Sequence, residues 1–177
     1  LLEWIAAGLV AERAADRKKV LDLLRHVRGA TPAVIAALAA MLRDPESEVY
    51  QLAAKAVGQL GAVAVTPPIL EALTEMLHDP NCGVRQSAAK AIGELGAAAA
   101  TPPFLAALTD ALRDPEEHVR QLAAKAVGQL GAVAVTPPIL EALTDALRDP
   151  EEHVRQLAVK AVGQLGAVAV TPPILEA

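Results

Sequence analysis

Lysine recurs at positions 55, 90, 125 and 160, and each follows a glutamine by four residues: Gln51 and Lys55, Gln86 and Lys90, Gln121 and Lys125, Gln156 and Lys160. A spacing of four brings both members of a pair to one side of a helix. Ammonium and amide groups in such a row do the chemistry of recognition, ion-pairing with and hydrogen-bonding to an acidic segment of a partner protein. A solvated polar face copied by duplication gives the same pattern, and the spacing alone does not choose between the two. The remaining reactive side chains form no catalytic set. His118 and His153 occupy equivalent places 35 residues apart. Helices that pack about 10 Å apart cannot bring them to one metal, whose bonds to imidazole are about 2 Å. His78 precedes Cys82 by four residues, but an Asp79-Pro80 turn separates them, so no activated thiol is expected. Glu116, Glu117, Glu151 and Glu152 cluster where helices are expected to start, and there the helix dipole favours carboxylates without any acid–base role. No catalytic, cofactor-binding or metal-binding residue is assigned, and the chain is not expected to be an enzyme.

These residues recur because the chain is built from copies. Thr136–Val170 and Thr101–Val135 agree at 32 of 35 positions, differing at Phe104/Ile139, Ala106/Glu141 and Ala124/Val159. The expected organisation is a degenerate capping repeat or the end of a preceding domain at 1–30. Full copies follow at 31–65, 66–100, 101–135 and 136–170, and a fifth copy opens at 171–177. A fixed period of this length signals stacked helical units.

Each copy reads as two helices. In 136–170, Thr136-Pro137-Pro138 opens the first, because proline is tolerated in a first turn, where its missing N–H has no partner to lose. Ile139, Leu140, Leu143, Ala146 and Leu147 make its apolar stripe. Asp149-Pro150 is expected to restart the chain, with Asp149 as N-cap, Pro150 at the first helical position and Glu152 at the third. Glu151 and Arg155 stand four apart and are expected to pair. The second helix is expected to run from Pro150 to Leu165, with Val154, Leu157, Ala158, Ala161, Val162 and Leu165 buried, and to stop at Gly166 in a left-handed conformation. The apolar link Gly166–Val170 is expected over the core. Gly58, Gly93, Gly128 and Gly163 lie inside the second helices. A mid-helix glycine costs about 1 kcal/mol against alanine, so close approach of neighbouring helices is the reason expected for them. Near the start, one helix is expected over Leu1–Ala15 and another from an Asp16 cap through Val27 to Gly29. Copy 66–100 departs most, with Met76, His78, Asn81, Cys82, Gly83 and Ser87. Ser87 stands where a stripe leucine is expected, so this copy should be the least stable.

Composition excludes several functions. Of 177 residues, 53% are hydrophobic but only 2% aromatic, which suits close helix packing and neither an aromatic-lined ligand pocket nor a base-stacking platform. A net charge of −5 lacks the basic footprint of general nucleic-acid binding. No apolar run reaches the roughly 18 residues that cross a bilayer. The single Cys82 cannot form an internal disulfide, which fits a reducing, cytoplasmic setting. The chain reads as a fragment of a larger protein.

The run Leu147-Arg148-Asp149-Pro150 with Val154, Arg155, Ala158, Ala161, Val162 and Gly163 resembles a HEAT repeat of the bacterial, phycobilisome-lyase-like type. The same run recurs at Leu112-Arg113-Asp114-Pro115 with Val119, Arg120, Ala123, Ala126, Val127 and Gly128. The resemblance implies first helices on the convex side and second helices on the concave side. It also implies that the Asp149 and Arg155 positions bond within or between repeats, a ladder interrupted where Tyr50 replaces the arginine. The long links resemble those of HEAT arrays attached to NACHT-type NTPase sensors in bacteria.

The reading is an all-α, right-handed α-solenoid of stacked two-helix repeats. It is expected to be a protein-interaction scaffold or sensor that holds a protein or peptide along Gln51, Lys55, Gln86, Lys90, Gln121, Lys125, Gln156 and Lys160, with end-to-end self-association through an uncapped C-terminal repeat. The rivals are an enzyme on the same scaffold, bilin lyase-like or DNA glycosylase-like, and an engineered consensus array with no native partner. An enzyme needs aromatic or acidic groups converging in the groove, and Trp4 and Phe104 stand alone.

Overall fold

The computed structural model describes residues 14–24, 31–169 and 171–176, and among these every regular element is helical, with no strand. In chain order the helices are α1 (Ala14–Leu24), α2 (Pro32–Met41), α3 (Ser47–Leu60), α4 (Pro67–Leu77), α5 (Cys82–Leu95), α6 (Pro102–Ala111), α7 (Glu117–Leu130), α8 (Pro137–Ala146), α9 (Glu152–Leu165) and α10 (Pro172–Leu175). Odd-numbered helices stack on odd-numbered ones, from α1 on α3 to α7 on α9, and even-numbered helices on even-numbered ones, from α2 on α4 to α8 on α10. This is an α-solenoid in two layers, with one continuous core between them.

The even helices begin as their prolines dictate. Thr136 is extended, with φ −130° and ψ 152°, and hands over to prolines in the first turn of α8. Ile139, Ala142, Leu143 and Ala146 then face the core at 2% exposure or less. Leu140 and Leu147, expected in the same stripe, are only half-buried at its edge.

The odd helices start two residues later than expected. α9 begins at Glu152, not at Pro150. Asp149 does not cap the helix directly; its Oδ1 accepts the Glu151 amide at 2.9 Å. The same two-residue turn recurs at Asp44–Glu46, Asp79–Asn81 and Asp114–Glu116 at 2.8 to 3.0 Å. An Asp side chain that bonds two residues ahead holds the chain in a turn rather than in the first turn of a helix. Arg155 does not turn to Glu151 either; its Nη1 donates to the carbonyls of Asp149 and Pro150 at 2.7 and 2.8 Å.

The odd helices α3, α5, α7 and α9 each end on a glycine of positive φ: Gly61, Gly96, Gly131 and Gly166, at 60° to 80°. Their ψ values, −139° to −169°, place them in a region that is essentially glycine-only, not in the left-handed helical region expected. A short 3-10 turn follows each one and drives Ala64, Ala99, Ala134 and Ala169 into the core with no exposure. That settles the conformation of the apolar link.

In α1, Asp16 lies within the first turn instead of capping it. Val27, Gly29 and all but the end of the expected helix Leu1–Ala15 lie outside the described residues.

Candidate functional site

The close spacing of the odd helices fixes which side of the stack is pinched. A Cβ built on Gly128 would stand 3.0 Å from the Ala161 Cα of the next odd helix and 2.2 Å from the Gln164 amide oxygen. One built on Gly93 would meet the Ala126 Cα at 3.1 Å and the Gln129 amide oxygen at 2.3 Å, and one on Gly58 would run into Glu94. Glycine is present because the next helix lies against it. Gly163, with no odd helix packed beyond it among the described residues, has open space. This close approach is the packing expected of the concave side that the resemblance assigns to the odd helices.

Two rows of polar contacts tie each copy to the next. On the odd helices, Arg85 grips Asp114 through Nε at 2.7 Å and Nη2 at 2.9 Å, and Arg120 grips Asp149 at 2.7 and 3.1 Å. Arg17 of α1 holds Asp44 in the same way at 2.9 Å. Each of these aspartates therefore makes a turn in its own copy and a two-pronged ion pair with the copy before it. The hydrogen bond to aspartate raises the pKa of Arg85 and of Arg120. Burial opposes ionisation of Asp149, but the bonds from Arg120 and the Glu151 amide, with the charges of Arg120 and Arg155, outweigh it and hold the carboxyl below its ordinary range. Tyr50 breaks the row: it is buried at 6% exposure, and the Asp79 carboxylate makes its turn bond to the Asn81 amide with no arginine of the preceding copy to grip it. The second row runs along the even-helix ends and is exposed: Arg43 to Glu75 at 2.6 Å, His78 to Asp110 at 3.8 Å and Arg113 to Asp145 at 2.8 Å. Sequence reasoning missed this row. Its signal was a basic residue facing an acidic one 32 positions on, a spacing that becomes visible only once the stacking is known.

The lysine and glutamine positions fall on the odd helices, away from the core. Lys90, Lys125, Lys160, Gln51 and Gln156 are exposed, and Lys55, Gln86 and Gln121 are half-buried. The structure brings four of the eight together. Gln51, Lys55, Gln86 and Lys90 line one open groove of about 560 Å³ across α3 and α5, whose far wall is Leu122 of α7. Gln121, Lys125, Gln156 and Lys160 continue the face over α7 and α9 without lining it. Ala54, Ala89 and Ala124, each one residue before a lysine of that face, are buried at 2% exposure or less, while their counterpart Val159 is 62% exposed. His118 and His153 are exposed at the starts of α7 and α9. Among the described residues no group of three His, Cys, Asp or Glu is arranged to hold a metal ion, and no helix is long and apolar enough to cross a membrane.

A family model described as HEAT repeats matches residues 70–145 and 106–177, together more than half of the chain. The chain belongs to the HEAT-repeat family. A second model, PBS lyase HEAT-like repeat, matches residues 49–75 of this HEAT array. Among curated proteins nothing matches it. Among solved structures, an engineered protein is 21% identical with a TM-score of 0.73, covering 94% of this chain and 81% of that one. A designed armadillo repeat protein in complex with the peptide (KR)4 is 19% identical with a TM-score of 0.70, covering 99% and 90%. The complex of CpcE and CpcF of phycocyanin lyase from Nostoc sp. PCC7120 is 22% identical with a TM-score of 0.69, covering 94% and 65%. At such identities the likeness speaks for the fold: this HEAT array is a repeat scaffold of the same build.

Proposed function

We propose that this HEAT array is a non-enzymatic binding module whose concave, odd-helix face takes an acidic peptide segment of a partner protein. The observation that carries the reading is the row Lys55, Lys90, Lys125 and Lys160 on the pinched side of a chain whose net charge is −5. Four cations line up where the molecule as a whole is acidic, and the stacking sets them one repeat apart. Charge complementarity of this kind governs partner choice and encounter rate. A structurally similar designed armadillo protein is in complex with a basic peptide, (KR)4; here lysines occupy the face, so the preferred charge is reversed. The lyase neighbour leaves an enzyme as the rival reading, but the groove holds no histidine, and its two acids, Glu48 and Glu94, are not paired with each other.

The test is fluorescence anisotropy of the full chain with a labelled octaglutamate and with labelled (KR)4. The reading expects octaglutamate to bind in a salt-sensitive manner, (KR)4 not to bind, and the K55A/K90A/K125A/K160A variant to lose at least tenfold in affinity. Equal affinity of the variant and the parent chain, or preference for (KR)4, contradicts it.

The same reading takes the array as a sensor segment of a larger bacterial, cytoplasmic protein of the NACHT-type NTPase class, with 1–30 as a degenerate capping repeat or the end of a preceding domain.

A further inference from the structure

The groove across α3 and α5 lies where the repeat is least regular. Gly83 and Ser87 stand one turn apart on α5, at positions filled by Glu48 and Leu52 in α3 and by His118 and Leu122 in α7. Two small residues in succession sink the surface of α5 between its neighbours. Ala54, Ser87 and Ala91 line the depression, with Leu52 on one side and Leu122 on the other. Ser87 leaves its hydroxyl satisfied, donating to the Gly83 carbonyl at 2.8 Å, so the floor makes no polar demand on what fills it. Leucine at this position is half-buried at the edge of the core in the other copies, so serine leaves no hole at its centre. Around the apolar slot stand Lys55, Lys90, Gln51 and Gln86. Glu48 is already held by Lys18, and the other carboxylate of the lining, Glu94, lies over Gly58.

Resting on the binding reading above, we infer that this slot is a specificity pocket that accepts one branched apolar side chain, such as leucine, within an otherwise acidic, extended segment. The lysine row supplies the charge match to the flanking acids, and the slot fixes the register. An extended peptide advances about 3.3 Å per residue and successive odd helices lie roughly 10 Å apart, so acids about three residues to either side of the anchor reach the next lysines.

The probes are two fluorescein-labelled heptapeptides, EEELEEE and EEEGEEE, titrated into the full chain. The parent chain is expected to bind the leucine peptide about tenfold more tightly, the worth of burying one such side chain. S87L restores the residue found at 52, 122 and 157, so it folds as those copies do. It is expected to fill the slot and erase the preference while leaving EEEGEEE binding unchanged. L122A, which removes one wall, is expected to cut the preference without touching the floor. Equal binding of the two peptides by the parent chain, or a preference that survives S87L, overturns the pocket and leaves the acidic-segment reading standing. Failure of both peptides to bind overturns both.

Discussion

At the residue scale, one aspartate position does two jobs in some copies and one in another. Asp149 makes the turn before α9 and receives both prongs of Arg120, whereas Asp79 makes the turn alone because Tyr50 stands where the arginine belongs. Removing a partner from a mostly buried pair strands the other charge and costs about 3 kcal/mol, while losing a turn or capping bond costs about 1 kcal/mol. Urea unfolding of D149A and D79A is therefore expected to show the first clearly the more damaging, and equal losses would refute the two-job account. Acid separates them again. The Asp149 carboxyl titrates below its ordinary range in the folded chain, so its contribution is fully present above the unfolded value near pH 4 and is lost as the pH falls through the lower, folded value. Thermal melts should show the parent chain's advantage over D149A holding steady from about pH 7 to 5 and shrinking below about pH 4. The Asp and Arg positions were legible from the family pattern, and so was the break at Tyr50. Which aspartate each arginine reaches was not, because that depends on the stacking offset and not on any local spacing.

At the element scale, the two glycine sets do different work although both recur every 35 residues. Gly61, Gly96, Gly131 and Gly166 hold a backbone region that other residues do not tolerate. Gly58, Gly93 and Gly128 are ordinary helix, and their reason lies in the neighbouring helix. G128A is expected to lose stability, roughly 1–3 kcal/mol, because the Ala161 backbone cannot move aside without shifting α9. G163A, with nothing within 4 Å, should gain up to about 1 kcal/mol from helix propensity. Thermal melts of the pair check this, and two changes of the same sign would count against it. Close approach as the cause was readable from a glycine in mid-helix. The start of each odd helix was misread because Asp-Pro resembles a cap followed by a first helical residue. The side-chain turn that delays the helix becomes apparent only with the carboxylate's bonds in view. Ser87 replaces a leucine that lies at the edge of the core in the other copies and not at its centre, a distinction the helical spacing does not make.

At the scale of the whole molecule, no copy has a core of its own. Phe104, Ile69, Ile92 and Ile139 are all at 0% exposure, and each lies on a helix stacked against its counterparts in the neighbouring copies. The fold was legible because duplication prints the unit several times over and the pattern of each unit leaves apolar stripes that only a neighbour can cover. The partner was less legible: the proposed acidic segment rests on a repeated lysine, while the proposed pocket that would select among such segments lies in the one irregular copy. The copy 66–100 keeps its place as the expected weak point, since it carries Gly83 and His78 and its Asp79 lacks an arginine. If stability is a sum over units and their interfaces, inserting a duplicate of 136–170 between Val170 and Thr171 must lengthen a single cooperative body. Urea denaturation followed by circular dichroism is the most direct check. One transition with a higher midpoint and a steeper denaturant dependence is the predicted result. A second, separate transition beside an unchanged first one would mean that copies fold alone, and would contradict it.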